Sequence, residues 1–287
     1  MSNKKLQSLI ALLRDEDKNI SSVAMSKILE YKNDSKEMNI IMAELQESPE
    51  PTIRRKIHQI QAIQRVRRRR GNLSKKFVER TSNLLQGLSD LNIIWYDEYT
   101  NPNISKLWNK LIFDAIKHAP RTPSRVADYL KTQNFTTSSS SVRDSDSYCI
   151  LAVLEDRIGT DVILAAVALE LARVFGMFGS IVYSENYGFG VIYSNHQSNS
   201  RKKEQYFGEI LFPSANWKLF KPEDVLPFKV WSNSKVLKYI TSMLLVSAIA
   251  SDEPRYIQIL GTCLTNRKIT DSLCDILPYP LGNKDIK

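Results

Sequence analysis

Cysteine is scarce and scattered: Cys149, Cys263 and Cys274 are an odd number among 287 residues, and no pair has the short spacing of a structural zinc site. A disulfide framework is not expected, and a reduced cytoplasmic setting is. Histidine is scarcer in proportion to its chemistry, with His58, His118 and His196 far apart and outside any metal-ligand spacing. No metal and no cofactor are expected. Ten glycines and eleven prolines are too few for a disordered or collagen-like chain. Long apolar runs are missing as well. Residues 162–178 contain Glu170 and Arg173, and 239–250 fall short of the ~20 residues that span a bilayer. No transmembrane segment is expected. The basic start is interrupted at Arg14, Asp15, Glu16 and Asp17 before a cleavable signal could form, so secretion is not expected either.

Acid is absent where base is dense. The formal charge is +9, and residues 51–78 hold ten Lys or Arg with no Asp or Glu. Arg54, Arg55, Lys56, Arg65, Arg67, Arg68, Arg69 and Arg70 form a candidate binding patch. The run at 65–70 ends an amphipathic pattern, where cations interact favourably with helix C-terminal carbonyls, and Gly71 is the expected C-cap. That accounts for one or two arginines and leaves the others for solvent, for an acidic protein or membrane surface, or for phosphates. Aromatic residues for base stacking are absent from 51–76, which disfavours nucleic acid.

The apolar residues of the first half fall at helical spacing. Leu6, Leu9, Ile10 and Leu13 are followed, after a polar turn, by Ile20, Val23, Ala24, Ile28 and Leu29. Met38, Ile41, Met42 and Leu45 are followed, after Pro49 and Pro51, by Ile53, Ile57, Ile60 and Ile63. Two helix pairs offset by about 33 residues resemble HEAT-like repeats. Further helices are expected over 74–91 and 104–118, so that residues 1–120 form an all-helical domain. Past the boundary at Pro120 and Pro123, a short helix over 124–131 leads into a Thr/Ser-rich loop at 136–147. Helices are then expected over 148–157 and 161–175, strands over 180–183, 188–194 and 205–212, and helices over 234–250 and 253–264. The expected fold class is α+β, with a small antiparallel sheet at 121–231 and a C-terminal helix pair and tail at 232–287.

Within that α+β part, Leu154-Glu155-Asp156-Arg157-Ile158-Gly159 and Leu169-Glu170-Leu171-Ala172-Arg173-Val174-Phe175-Gly176-Met177 stand where a Val-Leu-Glu-Arg-Arg-Arg-Gly turn and a Leu-Glu-x-Ala-Arg-Arg-Leu-Gly-Leu helix end stand in the SirB-type bacterial transglutaminase-like family. Tyr187-Gly188-Phe189-Gly190-Val191-Ile192 is similar to that family's Pro-Gly-His-Phe-Leu-Val. Residues 210–225 resemble its Leu-Leu-Asp-Pro-Phe-Asn-Gly-Gly-Arg-Leu-Leu-x-x-Glu-Asp-Leu block. The resemblance implies a papain-like α+β fold. In active members a Cys thiolate attacks, a His moves the proton and an Asp orients the His. Here Asp161 stands at the Cys position, Phe189 at the His position and Phe212 at the Asp position, so no catalytic residues are expected. The helix-start position of Asp161 also suits a carboxylate at the positive end of the helix dipole. By the same resemblance, the C-terminal pair is either the remnant of a tetratricopeptide unit or a packing pair.

The expected function is therefore a non-catalytic protein acting through protein–protein interaction. One alternative is a cysteine hydrolase or acyltransferase with a rearranged site, which needs an exposed Cys149 within hydrogen-bond reach of a His. The other is binding of nucleic acid or an acidic surface through the basic helix.

Overall fold

The structure is a computed structural model describing residues 3–30, 36–77, 83–96, 101–138, 144–194 and 208–265. It divides into two compact units, 1–69 and 70–287. The first contains α1 (Asn3–Leu13), α2 (Lys18–Glu30), α3 (Lys36–Gln46) and most of α4 (Pro51–Lys76). Its core is drawn from all four helices: Leu13, Ala24, Ile28, Met42, Ile53, Ile57 and Ile60 are buried together. The apolar periodicity thus identifies most of the buried face, although Val23 and Ile20 are left exposed. Asp15 and Asp17 set the turn into α2 by accepting the backbone N–H of Asp17 and Asn19, at 2.9 and 2.8 Å.

Gly71 does not cap a helix. It lies inside α4, which continues to Lys76, and its φ is not in the left-handed region. The helix expected over 74–91 is instead split. Asn83 caps a new helix, α5 (Leu84–Trp95), by accepting the N–H of Gln86 at 3.0 Å. Residues 78–82 and the His196 loop lie outside the described residues.

The second unit continues with α6 (Asn101–Ile116) and α7 (Pro123–Thr132), which Pro123 opens behind the Thr122 cap. Strand β1 (Thr136–Thr137) pairs in parallel with β2 (Ile158–Gly159), and α8 (Ile150–Asp156) lies between them. Next come α9 (Asp161–Val174), β3 (Phe178–Ser184), β4 (Gly188–Ser194), β5 (Ile210–Phe212), β6 (Lys218–Phe220) and β7 (Phe228–Trp231). These five strands form one antiparallel sheet in the order β6-β5-β4-β3-β7. The chain ends, among the described residues, in α10 (Asn233–Ala250) and α11 (Pro254–Leu264). The fold is α+β.

The first two turns of α9 after Asp161 are apolar on every side because they are enclosed on every side. Residues 162–169 are all buried, between the sheet on one side and α5, α7 and α8 on the others. Helices α5 and α6, grouped by the sequence with the amino-terminal half, belong to this second unit. Asn92 of α5 accepts the N–H of Leu151 at 2.9 Å, supplying the cap that α8 lacks locally. Helix α10 packs on α5, and Trp95 stacks on Tyr256 of α11 at 4.5 Å. Among the described residues no helix is long and apolar enough to cross a membrane.

Candidate functional site

Asp161 is the first residue of α9, and its carboxylate ties the helix to the sheet. Oδ1 accepts the N–H of Val162 at 2.8 Å and Oδ2 accepts the N–H of Phe189 on β4, also at 2.8 Å. Its part at the helix start is therefore joined by a tertiary one. Burial raises its pKa above the ordinary carboxylate value, while the backbone N–H donors of Phe189 and Val162 pull it down. No ion-pair partner reaches it among the described residues. Gly188 makes the approach feasible: its φ is +72°, and a Cβ there would overlap Asp161 Oδ2.

The side chains of β3, β4 and β7 alternate, so Tyr183, Phe189 and Trp231 fall on the sheet face that carries α9. Phe189 is 2% exposed. Its ring centroid lies 5.0 Å from Tyr183, 4.9 Å from Trp231 in an edge-on contact, and 5.0 Å from Tyr239 of α10. The three rings around it are each partly buried. Tyr148 adjoins them electrostatically: burial pushes its hydroxyl up to about 12, with Tyr239 and then Asp161 adding to the shift. Tyr239 is raised by burial and then by Asp161. None of these four aromatic partners was singled out from the sequence, because they come from a 3₁₀ turn, two strands and a distant helix.

Phe212 is not part of this cluster. It is fully buried on the opposite face with Val182, Ile192, Ile210 and Val225, and its ring meets those of Tyr187 and Phe220 at 5.1 and 5.8 Å. It sits against Gly190, where a Cβ would come within 2.7 Å of its ring. The structure brings Asp161 and Phe189 together and keeps Phe212 across the sheet. An Asp at 212 would have to change face to orient a side chain at 189.

Cys149 is 1% exposed at the start of α8, and burial, then Asp146, pushes its thiol well above the ordinary range. A thiol held neutral in the core supplies no thiolate. His118 packs on Tyr129 with ring centroids 5.3 Å apart, and His58 is exposed in the first unit. The exposed Cys149 needed for a rearranged cysteine site is therefore not found. Cys263 is buried too, and Cys274 lies outside the described residues. Among the described residues no group of three His, Cys, Asp or Glu could hold a metal ion.

Two members of the basic patch have internal work. Arg54 donates to the Ser48 carbonyl at 2.6 Å, beyond the end of α3, and Lys56 donates to the Leu13 carbonyl at 2.7 Å, the last residue of α1. Arg55 is exposed. Arg65, Arg67, Arg68, Arg69 and Arg70 lie in mid-helix and not in a last helical turn. No family model, no curated protein and no solved structure matches this chain.

Proposed function

We propose that the chain is a non-catalytic protein, with HEAT-like helices followed by a degenerate SirB-type transglutaminase-like domain, that works by binding another protein. The observation that carries this reading is the Asp161–Phe189 contact. Two positions that the resemblance assigns to nucleophile and base are neighbours, at a helix start and on the adjacent strand, yet they hold a carboxylate and a phenyl ring. Neither can supply a thiolate or carry a proton as imidazole does.

Backbone geometry adds support for the resemblance. Gly176 and Gly188 fall at glycines of the family pattern, and both have positive φ, +79° and +72°. Asn216 and Trp217 fall where the pattern has Gly-Gly, and both also have positive φ, +54° and +57°. A bulky residue is strained in that region. Trp217 is held there by burial and by its Nε1, which donates to the Phe135 carbonyl at 2.7 Å. Phe212, across the sheet, is the position at which the resemblance fits least well.

An acidic partner suits the basic run of α4. Five arginines in six consecutive helical positions with no acid nearby in sequence repel one another, and an anionic surface relieves that repulsion. The test has two arms on the full-length protein. Amine incorporation and peptide hydrolysis are assayed against Asp161→Asn, and wild-type turnover above that variant overturns the non-catalytic reading. Cross-linking in cells, followed by reconstitution from purified components, is compared between wild type and a chain with Arg67 to Arg70 replaced by Glu. A reconstituted complex lost on charge reversal supports the interaction. Wild-type retention of a DNA or RNA duplex at low salt, with no protein complex, replaces it with polyanion binding.

A further inference from the structure

A half-buried carboxylate with no ion-pair partner among the described residues, bonded to the Phe189 N–H and felt by the hydroxyls of Tyr148 and Tyr239, is an unusual combination for a packing core. A core would pair the charge or dispense with it, because a buried charge left without a partner is destabilising. At Asp161 both oxygens are held by backbone N–H groups, so the charge is oriented but not neutralised. The rings beside it offer π faces, which attract cations. The hydroxyls of Tyr148, Tyr183 and Tyr239 make no hydrogen bond among the described residues, and the indole Nε1 of Trp231 is buried without a partner.

The chain already places a cation on this surface. The ammonium of the exposed Lys235, on the first turn of α10, lies 4.0 Å from the Trp231 ring centroid. A cation–π contact made by an exposed lysine is at the weak end of such contacts, so another cation can displace it.

We infer that the aromatic surface of Trp231, Tyr239 and Tyr183 beside Asp161 binds a methylated ammonium group, with Lys235 standing in for it in the free protein. Methylation suits the site because such a cation spreads its charge over methyl groups, is drawn to aromatic faces and needs no hydrogen-bond acceptor. The Asp161 oxygens are already engaged and contribute field rather than a new bond. The group could come from a small choline-like molecule or from a methylated lysine of the acidic partner. This inference rests on the reading of Asp161 as non-catalytic.

The experiment follows the indole N–H resonance of Trp231 in the full chain, assigned with Trp231→Phe, during titration at constant ionic strength. Three probes are used: choline, its neutral isostere 3,3-dimethylbutan-1-ol, and a trimethyllysine peptide beside its unmethylated form. Choline is expected to give a saturable shift with affinity roughly tenfold above the isostere. Asp161→Asn should weaken it several-fold and Lys235→Ala should tighten it. Tighter binding of the trimethyllysine peptide than of choline identifies a protein source, and the reverse a small molecule. Absence of a saturable choline shift, equal binding of the isostere, or unchanged affinity in Asp161→Asn overturns the inference. Lys235 is exposed, so its variant remains informative where Asp161→Asn does not fold. Turnover in the assays above would remove the non-catalytic reading and leave these shifts as they are. Absent shifts would leave that reading untouched.

Discussion

The two faces of the five-stranded sheet are built from the same alternating strands and do different things. Phe212, Ile192, Ile210 and Val182 close one face with apolar side chains and a covering loop whose Val225 is fully buried. On the other, Phe189 lies among partly buried rings with a carboxylate, three phenols and an indole N–H close by. Phenylalanine at 189 and phenylalanine at 212 therefore do different work. Phe212 is part of a plug, and Phe189 is the floor of a surface that keeps polar groups.

Placing at 189 and 212 the side chains that the resemblance would assign there should break the protein unequally. Phe212→Asp removes a buried ring and leaves a charge with no partner, and is expected to cost at least ~3–5 kcal/mol in urea unfolding. Phe189→His keeps a ring in a place where hydroxyls can meet its nitrogens, and should cost about 1–3 kcal/mol. Equal losses would erase the distinction between the faces. Gly188→Ala should cost more than about 1 kcal/mol, because the left-handed backbone disfavours a side chain and the new Cβ would push on Asp161.

The smallest effect concerns pH. The folded-state pKa of Asp161 is raised above its ordinary value of 3.8, so the folded chain holds this proton more tightly than the unfolded one. Its contribution is most favourable below the ordinary value and is lost as pH rises through the raised folded value. The stability of the wild type relative to Asp161→Asn should fall across that window, as measured by urea unfolding at successive pH values. A difference that stays constant with pH would place Asp161 in a more solvated setting than the structure does.

Much of the helical scaffold was legible in the sequence. Periodicity located the buried face of α4 and part of that of α2, where Ile20 and Val23 proved exposed, and an apolar run between Asp161 and Gly176 marked α9. The strands β1, β2, β6 and β7 were not legible. They are two to four residues long, too short for an alternation to register, and the partners of β1, β2 and β7 are distant in sequence. Gly71 misled for a related reason. A glycine after a cationic run is a local stop signal, but α4 runs past it, and buried Leu73 and Phe77 lie beyond. At the candidate site, Asp161 and Phe189 were named from the sequence, whereas Tyr148, Trp231 and Tyr239 were not.

The chain's own order of residues determined where helices could begin, which faces were apolar, where base was concentrated, and that Asp161 and Phe189 cannot reproduce a Cys–His pair. Those are properties of side-chain chemistry and short-range spacing. Only the tertiary structure decided that Asp161 meets Phe189 through the backbone, that Phe212 lies across the sheet from both, that Cys149 is out of reach of solvent, and that Lys235 rests on Trp231. Each depends on strand register and on the packing of α9 and α10 against the sheet. A shift of one residue in a strand exchanges its faces without altering any local preference.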